Sequence, residues 1–119
     1  MIDKNHKHYV DNKKLLAAII EYRKATLEFK ASKKEINFKP PIPNYIGECM
    51  LLIAQRLSFK PNFINYSYRE EMISDGIENC VSYIDNFDPD KSDNPFAYFT
   101  QIIYFAFLRR IQKEKKQLY

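Results

Sequence analysis

The sequence predicts an all-α protein, a compact bundle of about four helices. Apolar residues recur at three- and four-residue spacing in four segments, and turns rich in proline, asparagine and aspartate separate these segments. No segment has the strict alternation of a strand or the turn residues of a hairpin. A chain of 119 residues supports one core, so we expect a single domain over residues 1–119, with residues 1–10 as a flexible N-terminal arm.

The first two helices lie on either side of a proline-rich connection. The first begins near Asp11 or Asn12, either of which can act as the N-cap, and frays near residues 32–34. Residues 40–43 cannot be helical because three prolines there lack the amide donor. The second helix covers about residues 45–59. The spacing predicts buried stripes of Leu15, Leu16, Ile19, Ile20, Tyr22, Leu27 and Phe29 in the first helix, and of Ile46, Met50, Ile53, Ala54 and Leu57 in the second.

The third and fourth helices have clearer start signals. Ser67 stands three residues before Glu70, which is the pattern of a capping box. Asn94 followed by Pro95 is typical of an N-cap and a first helical residue. Gly76 inside the third helix costs about 1 kcal/mol relative to alanine, which the close approach of another helix would explain. The predicted buried side of the third helix is Met72, Ile73, Ile77, Cys80, Val81, Ile84 and Phe87.

Charge is separated along the second half of the chain. Residues 68–94 hold two bases against eight acids, net −6, and residues 95–119 hold five bases against one acid, net +4. Spacing places Glu71, Ser74, Asp75 and Glu78 on one acidic ridge of the third helix. Such a ridge repels DNA and suits a basic protein surface, although an ordinary solvated helix face has the same composition.

The fourth helix carries six aromatic residues in twelve positions, from Phe96 to Phe107. A rotation of about 100° per residue gives a core stripe and an opposite face that combines rings with cations. Exposed rings beside cations are typical of proteins that bind single-stranded nucleic acid. A central helix that is buried on all sides is the alternative. The predicted core stripe is Phe96, Thr100, Ile103, Tyr104, Phe107, Leu108 and Ile111. The opposite face holds Tyr98, Gln101, Ile102, Phe105, Arg109, Gln112 and Lys116, and Phe99, Arg110 and Lys113 flank the stripe.

Other chemistry is sparse in this sequence. It contains no nucleophile–histidine–acid set, no phosphate loop and no metal-ligand cluster, so we expect neither an enzyme nor a cofactor, metal or small-molecule substrate. His6 and His8 in the N-terminal arm are not interpreted as a metal site. We expect Cys49 and Cys80 to be buried free thiols, since a disulfide between them would require their Cα atoms to lie within ~7 Å. No apolar run approaches the ~20 residues of a membrane span, which favours a soluble, cytosolic protein.

Three blocks of the sequence resemble region 2 of bacterial sigma factors. The acid–glycine helix at residues 72–77, the phenylalanine–aspartate turn at 85–91 and the aromatic helix at 96–101 occur in the same order and at nearly the same spacing. The chain is most similar to the late-transcription sigma factors of T-even-type bacteriophages, over residues 9–20, 46–58 and 71–116.

This resemblance implies a promoter-specificity subunit that binds bacterial core RNA polymerase in the cytoplasm of the infected host and opens the −10-like element of late promoters. Glu71, Ser74 and Asp75 match the ridge that grips the clamp helices of the β′ subunit. Glu78 lies on the same ridge by its spacing, and we expect it to bind polymerase as well. Phe99 matches the aromatic residue that stacks on a flipped-out adenine. The other DNA contacts that the resemblance implies are Tyr98, Gln101, Ile102, Ile103, Arg109, Arg110 and Lys113. Phe105 is a further expected DNA contact because spacing places it on the exposed aromatic and cationic face of the fourth helix.

The chain departs from the family pattern in two respects. Housekeeping sigma factors have paired tryptophans where this chain has Ile102 and Ile103, and we expect no −35 recognition by this chain, because these residues contain no second helix-turn-helix module. A phage co-activator or the sliding clamp is a further candidate partner. Two other functions remain open. One is a regulator that occupies the sigma site on polymerase without reading DNA, and the other is a nucleic-acid-binding protein that never meets polymerase.

Overall fold

Four α-helices joined by short connections make up the fold. The computed structural model describes residues 9–32 and 40–117. Within these ranges the chain forms α1 (Asn12–Ser32), α2 (Asn44–Ser58), α3 (Arg69–Tyr83) and α4 (Pro95–Gln117), with a single 3₁₀ turn at Ile84–Asn86 and no strand. The predicted all-α class is therefore confirmed. No helix in the described ranges is both long and apolar enough to span a membrane.

Asparagine and aspartate side chains start two of the helices. The carboxylate of Asp11 accepts hydrogen bonds from the amides of Lys13 and Lys14 at 3.1 and 3.2 Å, so Asp11 is the N-cap of α1. Asn94 Oδ1 accepts the amide of Ala97 at 3.1 Å at the start of α4, as the sequence predicted. Asn12 Oδ1 also accepts the amide of Phe96 at 3.1 Å, and this bond links α1 to α4.

The capping box predicted at Ser67 is wrong. Helix α3 begins at Arg69, with Tyr68 as its N-cap residue and no side-chain cap hydrogen bond. Because the helix starts two residues after Ser67, Glu70 lies one residue short of the position that a capping box requires. The start of α3 is attached to α2 instead, since Arg69 Nε donates to Ser58 Oγ at 2.8 Å.

The core lies between α3 and α4 and is closed by α1, α2 and Phe63 of the α2–α3 connection. Helices α3 and α4 are in close contact at Gly76, where an added Cβ would lie 3.0 Å from Ile103 Cγ2. This confirms the predicted reason for a glycine inside α3. The Phe63 ring meets those of Tyr104 and Phe107 edge to face, at centroid distances of 5.6 and 5.1 Å. The buried cysteines Cys49 and Cys80 are free, as expected.

Some expectations about exposure are wrong. In α3, Val81 is 41% exposed, although the spacing predicted it to be buried. Tyr9 and Val10 do not belong to a flexible arm, because Val10 is only 2% exposed and the Tyr9 ring packs on Phe96 at a centroid distance of 5.6 Å. In α1, Ile20 and Leu27 are 45% and 65% exposed, so the buried stripe is narrower than the sequence suggested. Residues 1–8, with His6 and His8, and residues 33–34 of the predicted fraying segment lie outside the described ranges.

Candidate nucleic-acid interface between α3 and α4

A groove of about 600 Å³ runs along the surface where α3 meets α4. Its α4 side consists of residues spaced by three or four positions, which places them on one face of the helix. Its α3 side consists of two residues one turn apart. The lining residues are Asn79 and Tyr83 from α3, and Tyr98, Ile102, Phe105 and Arg109 from α4.

One end of this groove is aromatic. The hydroxyl of Tyr98 donates to the carbonyl oxygen of Tyr83 at 2.6 Å, and the Tyr98 ring packs edge to face on Phe87 at 5.2 Å. Burial raises the pKa of Tyr98, so the phenol stays neutral and keeps its hydrogen at ordinary pH. Tyr83 at this end is 46% exposed, and Phe105, two turns after Tyr98 on α4, is 47% exposed, so each offers surface to a ligand. The groove can therefore accept a flat apolar group such as an unpaired base.

The other end carries a cation held by an amide. Arg109 Nη2 donates to Asn79 Oδ1 at 3.1 Å, and Asn79 Nδ2 donates to the carbonyl oxygen of Asp75 at 2.8 Å. Arg109 is exposed and forms no salt bridge within the described ranges. Within the described ranges, no carboxylate therefore compensates the positive charge of Arg109 in the groove.

Arg110 has a different environment, although it is the next residue. Its Nε and Nη2 donate to the two carboxylate oxygens of Asp75 at 2.7 and 3.0 Å, and its Nη1 donates to Glu114 at 3.1 Å. These bonds raise the pKa of Arg110, with the Asp75 bond as the largest cause. The sequence placed Asp75 and Arg110 in two separate interfaces, whereas the structure joins them. The expectation that Arg110 is free to bind DNA is therefore wrong, because two carboxylates already neutralise its charge.

The structure also contradicts the sequence-based expectation for Phe99. Its side chain is 0% exposed, and its carbonyl oxygen accepts the Cys80 thiol at 3.8 Å deep between α3 and α4. The expectation that the Phe99 ring is available to stack on a base is wrong in this structure, since the ring belongs to the core. The exposed rings of the groove belong to Phe105 and Tyr83 instead.

The remaining predicted site residues lie at the surface. Glu71, Ser74 and Glu78 are exposed on α3, while Asp75 of the same ridge is half-buried against Arg110. Gln101 and Lys113 are exposed on α4, and Ile102 lies partly buried in the groove. The structure thus brings Tyr98, Ile102, Phe105 and Arg109 into one groove, and leaves the acidic ridge on the exposed face of α3.

Sequence reasoning missed both α3 residues of the groove. Asn79 and Tyr83 follow Gly76 by three and seven positions, so all three share the side of α3 that faces α4. Had Gly76 been used to orient α3 against its neighbour, the same spacing would have identified Asn79 and Tyr83.

Comparisons with known proteins do not add an assignment to this geometry. The chain matches no family model, and no curated protein matches it with significant sequence similarity.

Proposed function

We propose that this chain is a sigma factor of the region 2 type, which binds bacterial core RNA polymerase through α3 and captures opened promoter DNA through the α3–α4 groove. The observation that carries the proposal is the groove itself, in which exposed rings of Tyr83 and Phe105 stand beside the uncompensated cation of Arg109. The resemblance to late-transcription sigma factors of T-even-type bacteriophages supplies the partner and the site of action, a late promoter in the infected host.

The exposed carboxylates of α3 support a separate protein-binding surface. Glu71, Ser74 and Glu78 recur at three- and four-residue spacing and are all exposed. Residues 68–94 carry a net charge of −6, which opposes DNA binding and favours a basic protein partner. The clamp helices of the β′ subunit are the partner that the resemblance suggests.

The expected binding energies favour separate roles for these two surfaces, with the groove capturing DNA and α3 binding polymerase. Stacking contributes about 1–3 kcal/mol per base, so two captured bases offset the opening of a few base pairs. The exposed cations of α4 are Arg109, Lys113, Lys115 and Lys116, because Arg110 is paired with Asp75 and Glu114. Few phosphate contacts give weak, salt-sensitive binding to DNA by the free chain, with polymerase supplying most of the affinity.

Reconstituted transcription tests the proposal. The purified chain is mixed with bacterial core RNA polymerase and a template with a late-type promoter, and run-off transcripts are measured together with binding to polymerase. We expect initiation, loss of polymerase binding in Glu71→Lys/Glu78→Lys, and loss of initiation with retained polymerase binding in Phe105→Ala. Glu48→Lys is the matched control, because Glu48 is an exposed carboxylate on α2 outside the ridge. A chain that does not bind core polymerase, or binds equally after both charge reversals, contradicts the proposal.

A regulator that occupies the sigma site without reading DNA is the second candidate. The burial of Phe99 and the pairing of Arg110 favour it, since both positions were expected to touch DNA. This candidate predicts polymerase binding and inhibition of host transcription, with no initiation at any late-type promoter. Phe105→Ala would then leave the inhibition unchanged.

A further inference from the structure

The two neighbouring arginines of α4 differ in the charge of their partners. Arg110 is bonded to the carboxylates of Asp75 and Glu114, so the three groups together carry a net negative charge. Arg109 is bonded to the amide of Asn79, which is neutral at every pH. Arg110 therefore links α3 to α4 through ion pairs, whereas Arg109 is held by a neutral partner that leaves its positive charge uncompensated.

Asn79 is itself oriented by the backbone of α3. Its Nδ2 donates to the Asp75 carbonyl oxygen at 2.8 Å, which directs Oδ1 toward Arg109 Nη2 at 3.1 Å. A free arginine side chain loses as much as about 2 kcal/mol of rotamer entropy when it is immobilised. Holding Arg109 against α3 before a ligand arrives reduces this loss, so the bound state is favoured.

Geometry then relates Arg109 to the exposed ring of Phe105. Phe105 lies one helical turn before Arg109 on the same face of α4, and both line the groove. The guanidinium has five N–H donors, and the bond to Asn79 engages Nη2, so donors remain for a phosphate. A nucleotide whose base covers Phe105 would direct its phosphate toward Arg109.

We propose that Asn79 is a positioning residue, which holds Arg109 as the phosphate-binding cation of the α3–α4 groove while leaving its charge uncompensated. This rests on the proposed function in one respect, that the groove takes single-stranded DNA. Asn79 acts through Arg109 and makes no contact with the bases.

The test is a nuclear magnetic resonance titration of the full chain with a short oligothymidylate, at several salt concentrations. This measurement detects weak binding and needs no polymerase. Asn79→Asp keeps the shape but places a carboxylate against Arg109, so we expect about tenfold weaker binding and a salt slope reduced by about 0.7, the value for one phosphate contact on single strands. Asn79→Leu removes the hydrogen bond but not the cation, so we expect about threefold weaker binding with an unchanged salt slope.

Arg109→Gln separates a positioning role from a merely structural one. It should reproduce the weaker binding and the reduced salt slope of Asn79→Asp. Adding Asn79→Leu to Arg109→Gln should cause no further loss, because Asn79 then has no cation to hold. Asn62→Asp is the matched control, since it makes the same amide-to-carboxylate change at an exposed position in the α2–α3 connection. It should leave binding within twofold of wild type.

Three outcomes discriminate among the possibilities. Wild-type affinity and salt slope in both Asn79 variants, or full additivity of Asn79→Leu with Arg109→Gln, overturns the role of Asn79. Asn79-dependent binding of the oligonucleotide by a chain that does not bind polymerase sustains the inference but contradicts the proposed function. A wild-type chain that does not bind the oligonucleotide overturns the inference and the DNA-reading part of the proposed function together.

Discussion

Asp75 of α3 and Arg110 of α4 form a bidentate ion pair, with Arg110 Nε 2.7 Å from Oδ2 and Nη2 3.0 Å from Oδ1. The pair lies next to Gly76, where a Cβ atom would lie only 3.0 Å from Ile103 Cγ2. The ion pair and the apolar contact between Gly76 and Ile103 therefore join α3 and α4 at the same point along the two helices. The groove between Asn79 and Arg109 begins one turn further along α3, so its geometry depends on this junction.

Replacing Arg110 with glutamine should lower stability without changing DNA binding. The variant loses charge-assisted bonds to Asp75 and Glu114, which are worth about 1.5–3 kcal/mol each when buried. The Arg110 side chain is 18% exposed, and those of Asp75 and Glu114 are each 27% exposed. Screening by solvent therefore reduces the expected loss of unfolding free energy to about 1–2 kcal/mol. Urea denaturation measures this loss. Lys24→Gln, an exposed α1 cation, should change stability by less than about 0.5 kcal/mol. Unchanged stability with weaker oligonucleotide binding would instead make Arg110 a DNA contact.

Replacing Gly76 with alanine should lower stability, whereas replacing Gly47 with alanine should raise it. An alanine Cβ at position 76 would lie 3.0 and 3.3 Å from Cγ2 and Cγ1 of Ile103, whose fully buried side chain has little room to move. Overpacking should outweigh the better helix propensity, and we expect Gly76→Ala to lose about 1–2 kcal/mol. Gly47→Ala meets no atom within 4 Å and should gain about 0.5–1 kcal/mol. Chemical denaturation of both variants checks the pair, and an equal response at the two sites would refute the close approach at Gly76.

Phe99 and Phe105 should separate stability from ligand capture. Phe99→Ala removes a fully buried ring, and we expect a loss of about 3–5 kcal/mol in unfolding free energy. Phe105 is 47% exposed, so Phe105→Ala should cost less than about 1 kcal/mol of stability while weakening oligonucleotide binding by about 1–3 kcal/mol. Denaturant midpoints and the oligonucleotide titration supply the two readouts. A stable Phe99→Ala variant that no longer binds DNA would show that Phe99 leaves the core to stack on a base.

Burial of the Cys80 thiol should make stability fall at alkaline pH. Burial raises the pKa of Cys80 from its usual 9.0 to about 12. Above pH 9 the unfolded chain loses this proton while the folded chain retains it, so the unfolded state becomes favoured as pH rises toward 12. Between pH 9 and 12, the contribution of Cys80 to the free energy of unfolding should fall by as much as about 1.4 kcal/mol per pH unit. Below pH 9 this contribution should be constant.

The measurement compares unfolding free energies of wild type and Cys80→Ala from pH 8 to 11. The variant will be less stable at pH 8 because of the lost packing, but its stability should decline less steeply with pH. Iodoacetamide should also modify Cys80 slowly in the folded chain at pH 8, as judged by peptide mass spectrometry. Rapid modification or parallel pH profiles would refute the buried, protonated thiol.

Several elements of this fold could be predicted because their signals are local. The caps at Asp11 and Asn94 involve amides two or three residues away, and the prolines of residues 40–43 act on their own neighbours. Ser67 failed as a cap because Arg69 is attached to Ser58 of α2, a contact that no local pattern contains. Val10 was likewise assigned to a flexible arm because its burial depends on distant residues.

The candidate site was predicted only on one of its two sides. Tyr98, Ile102, Phe105 and Arg109 were placed together because helical spacing alone puts them on one face of α4. Asn79 and Tyr83 were missed because no spacing within α4 indicates which turn of α3 lies opposite. Phe99 was assigned to the flank of the core stripe, and a small rotation of α4 about its axis is enough to bury such a residue.

By itself the sequence determined four helices, their approximate ends, a segregated charge pattern and the core positions Ile103, Phe107 and Ile111. These properties follow from periodicity and capping, which act within a few residues along the chain. Only the tertiary structure decided that Arg110 pairs with Asp75, that Arg109 is bonded to the neutral amide of Asn79, and that Phe99 is buried. The physical reason is that the rotation and register of one helix against another depend on the packing of many side chains at once, including the space left by Gly76.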